Sequence, residues 1–474
     1  MSPARAENRP STRLSPRFWL LAAVLAAAFA MGGSARADVA SLPPLRLLCG
    51  FALAAALLLL EPRHLAGSRG LLALAAACVA LPLLQLVPLP PMLWQALPSR
   101  ALIAAIDQAR NAGDTWRPLT MVPWATRNAL FSLLVPLPVL VLALQLTPHE
   151  LSATVTACLA AGLASGLLAV AQIGHGPDSP LALYRVSNAG QAIGLYANRN
   201  HQAFFLATLL PMAGFRARAA GAGRLAWLVL GCGALATIPL ILVTGSRGGV
   251  LLGGLGVLGG IGLLVARDRR GRRQKRRRRG PVFAAAGAVA LAIAAIAALT
   301  VLAGRGVAWE RIAAAGTGDD LRLAILAPAL GLTRAMLPLG TGLGSFEQAW
   351  QVAEPDRLLA EAYANHAHDD WLELALTGGL PALAIVAALV LFLAVALRRA
   401  LACGADDGPR DEAKWLALLG LIVTGLAAVA SLVDYPLRVP SLAAVFALAL
   451  AWANGGNRTN DAARAAPADS GRVE

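Results

Sequence analysis

Long apolar segments, separated by short polar ones, follow one another along almost the whole chain. They are blocks of Leu, Ala, Val and Gly without the alternation of apolar and polar residues that marks strands. Many approach the length of about 20 residues that crosses a bilayer as a helix. The pattern predicts about twelve spans, near residues 18 to 34, 45 to 60, 71 to 87, 128 to 146, 151 to 173, 202 to 215, 225 to 244, 248 to 265, 281 to 302, 378 to 397, 415 to 432 and 437 to 452.

The composition favours the same class of protein. Hydrophobic residues make up 57% of the chain and charged residues 14%, and the mean hydropathy is +0.63. We therefore predict an all-α polytopic membrane protein with about twelve transmembrane helices and one long periplasmic loop, 303 to 377, that contains short helices. The transmembrane domain would cover residues 18 to 452, between a basic cytoplasmic tail at 1 to 17 and a disordered cytoplasmic tail at 453 to 474.

The distribution of basic residues predicts the orientation. The net charge is +15, and ten Lys or Arg residues lie between Arg267 and Arg279. Such a run beside a span is typical of a cytoplasmic anchor near anionic lipid, which explains it without a nucleic-acid partner. With this run inside, the polar segments around Arg199, Arg247 and His368 all lie on the opposite face. These segments are then expected on the outer, periplasmic face.

The first span has two explanations. Basic residues precede it and Ala35-Arg36-Ala37 follows its short apolar core, as in a cleaved signal peptide. We favour a retained helix, and either choice leaves the orientation of the other spans unchanged.

Two arginines stand among small or amide residues at the predicted outer ends of spans six and seven. Arg199 lies within the sequence ANRNH and Arg247 within GSRGG. Both could anchor helix ends by reaching towards lipid headgroups. Guanidinium groups also offer paired donors that match phosphate oxygens, so two of them suit a diphosphate. We favour the diphosphate site.

A cluster of histidines and carboxylates occurs in Asn365–Trp371, with the sequence NHAHDDW. It could ligate a metal, it could serve only as helix caps and loop polarity, or one imidazole could act as a general base oriented by a carboxylate. We favour the general base and predict no metal.

Four segments together resemble the bacterial O-antigen ligase and O-antigen polymerase family, the Wzy C-terminal type. The resemblance covers about residues 190 to 385. It rests on GLYANRNHQA from Gly194, LVTGSRGG from Leu242, PLGTGLGSF from Pro338 and HAHDDWLE from His366. Gly379 follows His368 at the family spacing, whereas Asp369 and Ala382 depart from the strict ligase pattern.

The resemblance implies a metal-independent inverting glycosyltransferase without a cofactor. Its donor would be a glycan on undecaprenyl diphosphate, and its acceptor would be lipid A core for a ligase or another glycan for a polymerase. His368 would be the general base, with His366, Asp369 and Arg322 orienting it or binding the acceptor. The diphosphate would bind at four residues, Arg199, Arg247, Asn200 and His201.

Two other functions remain open. A protein O-oligosaccharyltransferase is a third relative of the same family. A transporter or flippase of lipid-linked glycans is the alternative from a different class, and it would carry ionisable groups near the middle of the membrane and related halves.

Overall fold

The computed structural model describes residues 14–65, 67–175, 179–219, 224–266, 317–359, 364–402 and 409–465. Within them the chain is mostly helical, which confirms the all-α part of the predicted fold class. The predicted span at 281 to 302 and the basic run at 267 to 279 lie outside the described residues, as does most of the N-terminal tail.

The first part of the chain contains nine helices and one small antiparallel hairpin. In order, these are α1 Pro16–Met31, α2 Leu42–Leu58, α3 Pro62–Leu65, α4 Arg69–Gln85, β1 Pro88–Leu89, α5 Pro91–Gln95, α6 Ala101–Ala109, β2 Arg117–Pro118, α7 Pro123–Ser132, α8 Pro136–Ala143 and α9 Pro148–His175. The hairpin pairs Pro88 with Pro118 and Leu89 with Arg117.

The second part continues the helical pattern. Its elements are α10 Arg199–Ala219, α11 Arg224–Val243, α12 Arg247–Val265, α13 Thr317–Met336, α14 Phe346–Ala353, a 3-10 turn at Asp356–Leu358, α15 Asp370–Ala402, α16 Pro409–Ala430, a 3-10 turn at Pro436–Arg438 and α17 Pro440–Ala465.

Among the described residues, six helical segments are long and apolar enough to cross a membrane. They are Pro123–Ala143, Pro148–His175, Leu225–Val243, Arg247–Val265, Asp370–Ala402 and Glu412–Ala430. Shorter apolar helices accompany them, at Pro16–Met31, Leu42–Leu58, Arg69–Gln85, Ala324–Met336 and Pro440–Gly455. The count of twelve spans therefore stays a prediction.

Helix α10, predicted as span six, is not among the six. Its side chains are buried almost continuously from His201 to Phe215, and it packs against α9, α11, α12 and α16. Glycines of α12 allow one of these contacts, because a Cβ on Gly256 would lie 2.5 Å from the carbonyl oxygen of Ala207. The chain thus surrounds α10 with other helices.

Helix α1 packs into the main apolar core, through buried side chains such as Leu21 and Leu25. Its N-terminus is capped by Ser15, whose side chain accepts a hydrogen bond from the Phe18 amide. Whether this helix is retained stays a prediction.

The region 303 to 377 contains short helices, as predicted. They are α13 and α14, and α14 ends at Ala353, two residues before Pro355. The last helix continues to Ala465, well beyond the predicted span end near residue 452.

Gly379 produces a kink near the start of α15. Its backbone has φ +60 and ψ −156 inside α15, and a Cβ there would lie 2.3 Å from the carbonyl oxygen of Pro338. Only glycine fits this conformation without strain. The kink lets the amide of Leu380 donate to that carbonyl at 2.8 Å, so the segment from Pro338 packs against α15.

Candidate active site

The first polar motif forms the start of α10. The side-chain oxygens of Asn188 and Asn198 accept hydrogen bonds from the amides of Arg199 and Asn200, at 3.1 and 2.9 Å. These contacts satisfy two amides that the helix itself leaves without partners. Arg199 is therefore the first helical residue, with its side chain partly exposed.

The second polar motif forms the start of α12 beside it. Ser246 caps this helix by accepting a hydrogen bond from the Gly249 amide at 3.0 Å, and Arg247 follows as the first helical residue. A Cβ on Gly245 would lie 3.7 Å from Nη1 of Arg199. Two adjacent helix N-termini, each carrying an arginine, therefore lie side by side.

The third polar motif forms the entry to α15. The Asp369 carboxylate accepts hydrogen bonds from the amides of Trp371 and Leu372, at 2.9 and 3.0 Å, so it caps the helix. His368 just before it has φ +53, a left-handed conformation that is uncommon outside glycine. The chain thus turns sharply at His368 before the helix begins.

A fourth segment, the loop 431–439 between α16 and α17, joins the other motifs. Oδ2 of Asp434 accepts a hydrogen bond from Nδ2 of Asn200 at 2.8 Å. Oδ1 of the same carboxylate lies 3.7 Å from Nδ1 of His368 and 3.9 Å from Nε2 of His201. One buried carboxylate therefore lies between the first and third motifs.

Tyr435 occupies the centre of this arrangement. Its ring centroid lies 4.2 Å from that of His366 and 5.2 Å from those of His201 and His368. Its hydroxyl interacts with the side chains of Asn198 and Asn365, while burial and Asp434 raise its pKa. Tyr435 is therefore a neutral phenol at physiological pH. We call these residues, His201, His366, His368, Asp434 and Tyr435, the polar cluster.

An ion-pair network lies beside the polar cluster. Arg438 contacts Asp370 at 2.9 Å and Glu373 at 3.1 Å, and Nδ1 of His366 lies 3.1 Å from Glu373. Partial burial lowers the pKa of Arg438, but the carboxylates of Glu373 and Asp370 outweigh it and raise that pKa. A permanently charged guanidinium therefore compensates two carboxylates.

The three histidines differ in their partners. Nδ1 of His366 is held by Glu373. His201 is 2% exposed, and neither of its ring nitrogens has a hydrogen-bond partner among the described residues. Nδ1 of His368 likewise lacks a hydrogen bond within the described part of the chain, and its side chain is partly exposed. His368 is thus the most accessible of the three imidazoles.

The structure therefore brings together most of the residues singled out in the sequence. Arg322 lies in α13, and its side chain is outside the described residues. Asp369 contacts its own helix as a cap, and the carboxylate near His368 is Asp434. Among the described residues, no group of three or more His, Cys, Asp or Glu side chains is arranged to hold a metal ion.

Sequence analysis assigned no role to Asp434, Tyr435 or Arg438. The sequence nevertheless contained an indication of a functional role, because these polar residues lie at the junction of two apolar spans, on the face predicted to carry the other motifs. Their partners are far away in the sequence, so a single sequence does not reveal the contacts.

These elements define a polytopic helical membrane protein whose polar motifs meet at one end of the bundle. Residues 232–387 match the family model described as O-antigen ligase. The match confirms the resemblance drawn from the motifs for this segment of the chain. It broadly supports a multi-pass membrane glycosyltransferase of that type. Comparison with curated proteins gave no match.

The Arg438 network predicts a stability effect. Arg438→Gln leaves Glu373 and Asp370 without their cation, so we expect the free energy of unfolding to fall by about 3 kcal/mol. Arg36→Gln is the matched control, because Arg36 pairs with Asp38 at an exposed site and should cost about 1 kcal/mol or less. Chemical denaturation in detergent measures both. Equal losses in the two variants would contradict the role given to Arg438.

Proposed function

We propose that the protein transfers a glycan from undecaprenyl diphosphate to an acceptor hydroxyl at the periplasmic face of the inner membrane. The observation that carries this proposal is the position of the polar cluster. Two arginine-bearing helix starts lie side by side, and the carboxylate of Asp434 connects one of them to an accessible imidazole from a distant part of the sequence. This combination provides an anion site beside a possible base.

The helix starts suit the diphosphate of the donor. Helix N-termini carry partial positive charge, and here two of them are adjacent. Arg199 and Arg247 add full positive charges and paired donors that match phosphate oxygens. Asn200 and His201 follow Arg199 in the first turn of α10. The polyprenyl tail would lie along the apolar helices, which leaves the diphosphate at the polar end.

His368 suits the role of general base. Its Nδ1 faces Asp434, so Nε2 is the nitrogen available for the acceptor hydroxyl. As the acceptor oxygen attacks the anomeric carbon, its proton moves to Nε2 and the bond from that carbon to the diphosphate breaks. The diphosphate leaves with the bonding electrons, towards the arginines. Attack opposite the leaving group inverts the anomeric centre, and Asp434 stabilises the imidazolium.

The acceptor distinguishes two forms of this function. A ligase transfers the glycan to lipid A core, whereas a polymerase transfers it to another lipid-linked repeat. The polysaccharides of a deletion strain separate them, since loss of capped lipopolysaccharide indicates a ligase and loss of polymer length indicates a polymerase. A protein O-oligosaccharyltransferase would instead leave both profiles intact and remove glycans from proteins.

The transporter alternative receives less support. A transporter is expected to place its ionisable groups near the middle of the membrane. In the described residues, the polar cluster and the Arg438 network lie where α10, α15 and α17 begin. Such an arrangement favours chemistry at one face over passage through the bundle.

The diphosphate site predicts the effect of arginine substitutions. Arg199→Ala and Arg247→Ala should each lose most transfer activity, and lysine at either position should restore only part of it, because lysine lacks the paired donors. Arg185→Ala is the control, since Arg185 is an exposed arginine outside the cluster. Transfer is measured with purified protein, lipid-linked donor and acceptor. Full activity in either alanine variant would contradict diphosphate binding by that arginine and would indicate that it only anchors the helix end at the lipid headgroups.

The general-base assignment predicts resistance to chelators. His368→Ala should abolish transfer under both the base and the metal hypotheses, so it does not separate them. A base needs no divalent ion, so purified protein should stay active in a strong chelator. His366→Ala should be milder than His368→Ala, because His366 is held by Glu373. Inactivation by chelator that is reversed by a divalent ion would instead identify a metal centre.

A further inference from the structure

The segment 88–122, between α4 and α7, presents apolar side chains outwards. We call it the hairpin segment. Met92 is 87% exposed, Trp116 62% and Leu102 59%, and Leu93 and Ile106 are exposed as well. These five residues, Met92, Leu93, Leu102, Ile106 and Trp116, form what we call the apolar hairpin surface. An apolar surface of this kind is unfavourable in water and marks a contact with another apolar phase.

Some polar groups of the hairpin segment are paired within the protein, whereas others, such as Gln108 and Arg110, are exposed. Asp107 is almost fully buried and pairs with Arg117, and the guanidinium of Arg117 lies 5.9 Å from the ring of Trp94. The buried side chain of Arg100 donates to the carbonyl oxygen of Leu119. Two charged residues of the segment, Arg100 and Asp107, are thus buried while its large apolar side chains are exposed, which is unusual for a loop surrounded by water.

Helix α6 has apolar residues on its exposed side. Leu102, Ala105, Ile106 and Ala109 recur at helical spacing, and all four are exposed. Asp107 lies on the opposite side of the helix and is buried. An amphipathic helix with its apolar face outwards is typical of a helix that lies in the plane of a membrane interface.

The bilayer is the occupant that fits this surface. Exposed apolar side chains also occur at the end of α4 and just after it, at Leu83, Leu84 and Val87, which directly precede the hairpin segment. Beyond it, Trp124 and Phe131 of α7 are exposed too. Tryptophans at the ends of spans favour the headgroup level of a membrane.

We propose that the hairpin segment lies in the membrane interface, with the apolar hairpin surface inserted into one leaflet. The segment also contacts the loop from Pro338 to Phe346, because the Met121 amide donates to Thr341 O at 2.8 Å. The hydroxyl of Thr126, in the next helix, donates to Leu343 O at 2.9 Å. Lipid contact of the hairpin segment thus fixes the depth of a loop that packs against α15.

Site-directed spin labelling tests the proposal in proteoliposomes. In a chain whose five cysteines are replaced by alanine, nitroxides are placed through Met92→Cys, Leu102→Cys and Ile106→Cys. The control is Gln108→Cys, because Gln108 is an exposed polar residue on α6. Collision with oxygen, which concentrates in lipid, is compared with collision with a water-soluble nickel chelate.

We expect oxygen collisions to exceed nickel collisions at positions 92, 102 and 106, and the order to reverse at position 108. Nickel collisions that dominate at all four positions would overturn the proposal. Low collision rates with both agents at positions 92, 102 and 106 would also overturn it, since they would show that a second copy of the chain covers the surface.

Methionine oxidation gives a second measurement that keeps the native cysteines. In nanodiscs that hold one chain each, hydrogen peroxide should oxidise Met92 several-fold more slowly than the methionine introduced by Gln108→Met. Equal rates would overturn the proposal, because Met92 would then face water as freely as position 108.

Discussion

The contact of Tyr435 with three imidazoles connects segments that are far apart in the sequence. Its ring lies against His201 of α10 and against His366 and His368 before α15, and its hydroxyl reaches Asn198 and Asn365. Apolar side chains give little preference for one helix arrangement over another in lipid, where the surroundings are equally apolar. Polar contacts in a region of low dielectric are stronger and more directional. The arrangement of helices at this end of the bundle therefore depends on the loop 431–439.

The arrangement of helices at this end of the bundle also depends on close helix packing. Glycines in α12 let this helix approach α10 closely enough for both N-termini to lie at the same level. Gly379 does the same for the segment from Pro338, which packs against the kinked start of α15. The polar cluster is thus assembled by helix starts, and helix starts provide positive potential where an anion is to bind. The donor diphosphate of the proposed reaction matches that potential.

Much of this arrangement could be predicted from the sequence, because the signals are local. Apolar length predicted most helices, and the arginines and histidines were visible as polar residues within apolar surroundings. The contact between Asp434 and His368 joins residues on either side of α15 and α16, and one sequence contains no record of such a pair. The orienting carboxylate was therefore sought at Asp369, the nearest acidic neighbour, which instead caps α15. The burial of α10 on all sides was missed for a related reason, since hydropathy does not distinguish a lipid-facing helix from one enclosed by other helices.

The central claim is that Arg199, Arg247 and His368 form one site on the periplasmic face. Thiol labelling of single-cysteine variants at these positions tests it most directly, with a membrane-impermeant maleimide applied to intact cells and to inside-out vesicles. Lys275→Cys, within the basic run, is the control for the cytoplasmic face. We expect labelling of positions 199, 247 and 368 in intact cells, and labelling of position 275 only in the vesicles. Labelling of position 368 from the cytoplasmic face would contradict it, because the base would then be separated from the diphosphate site.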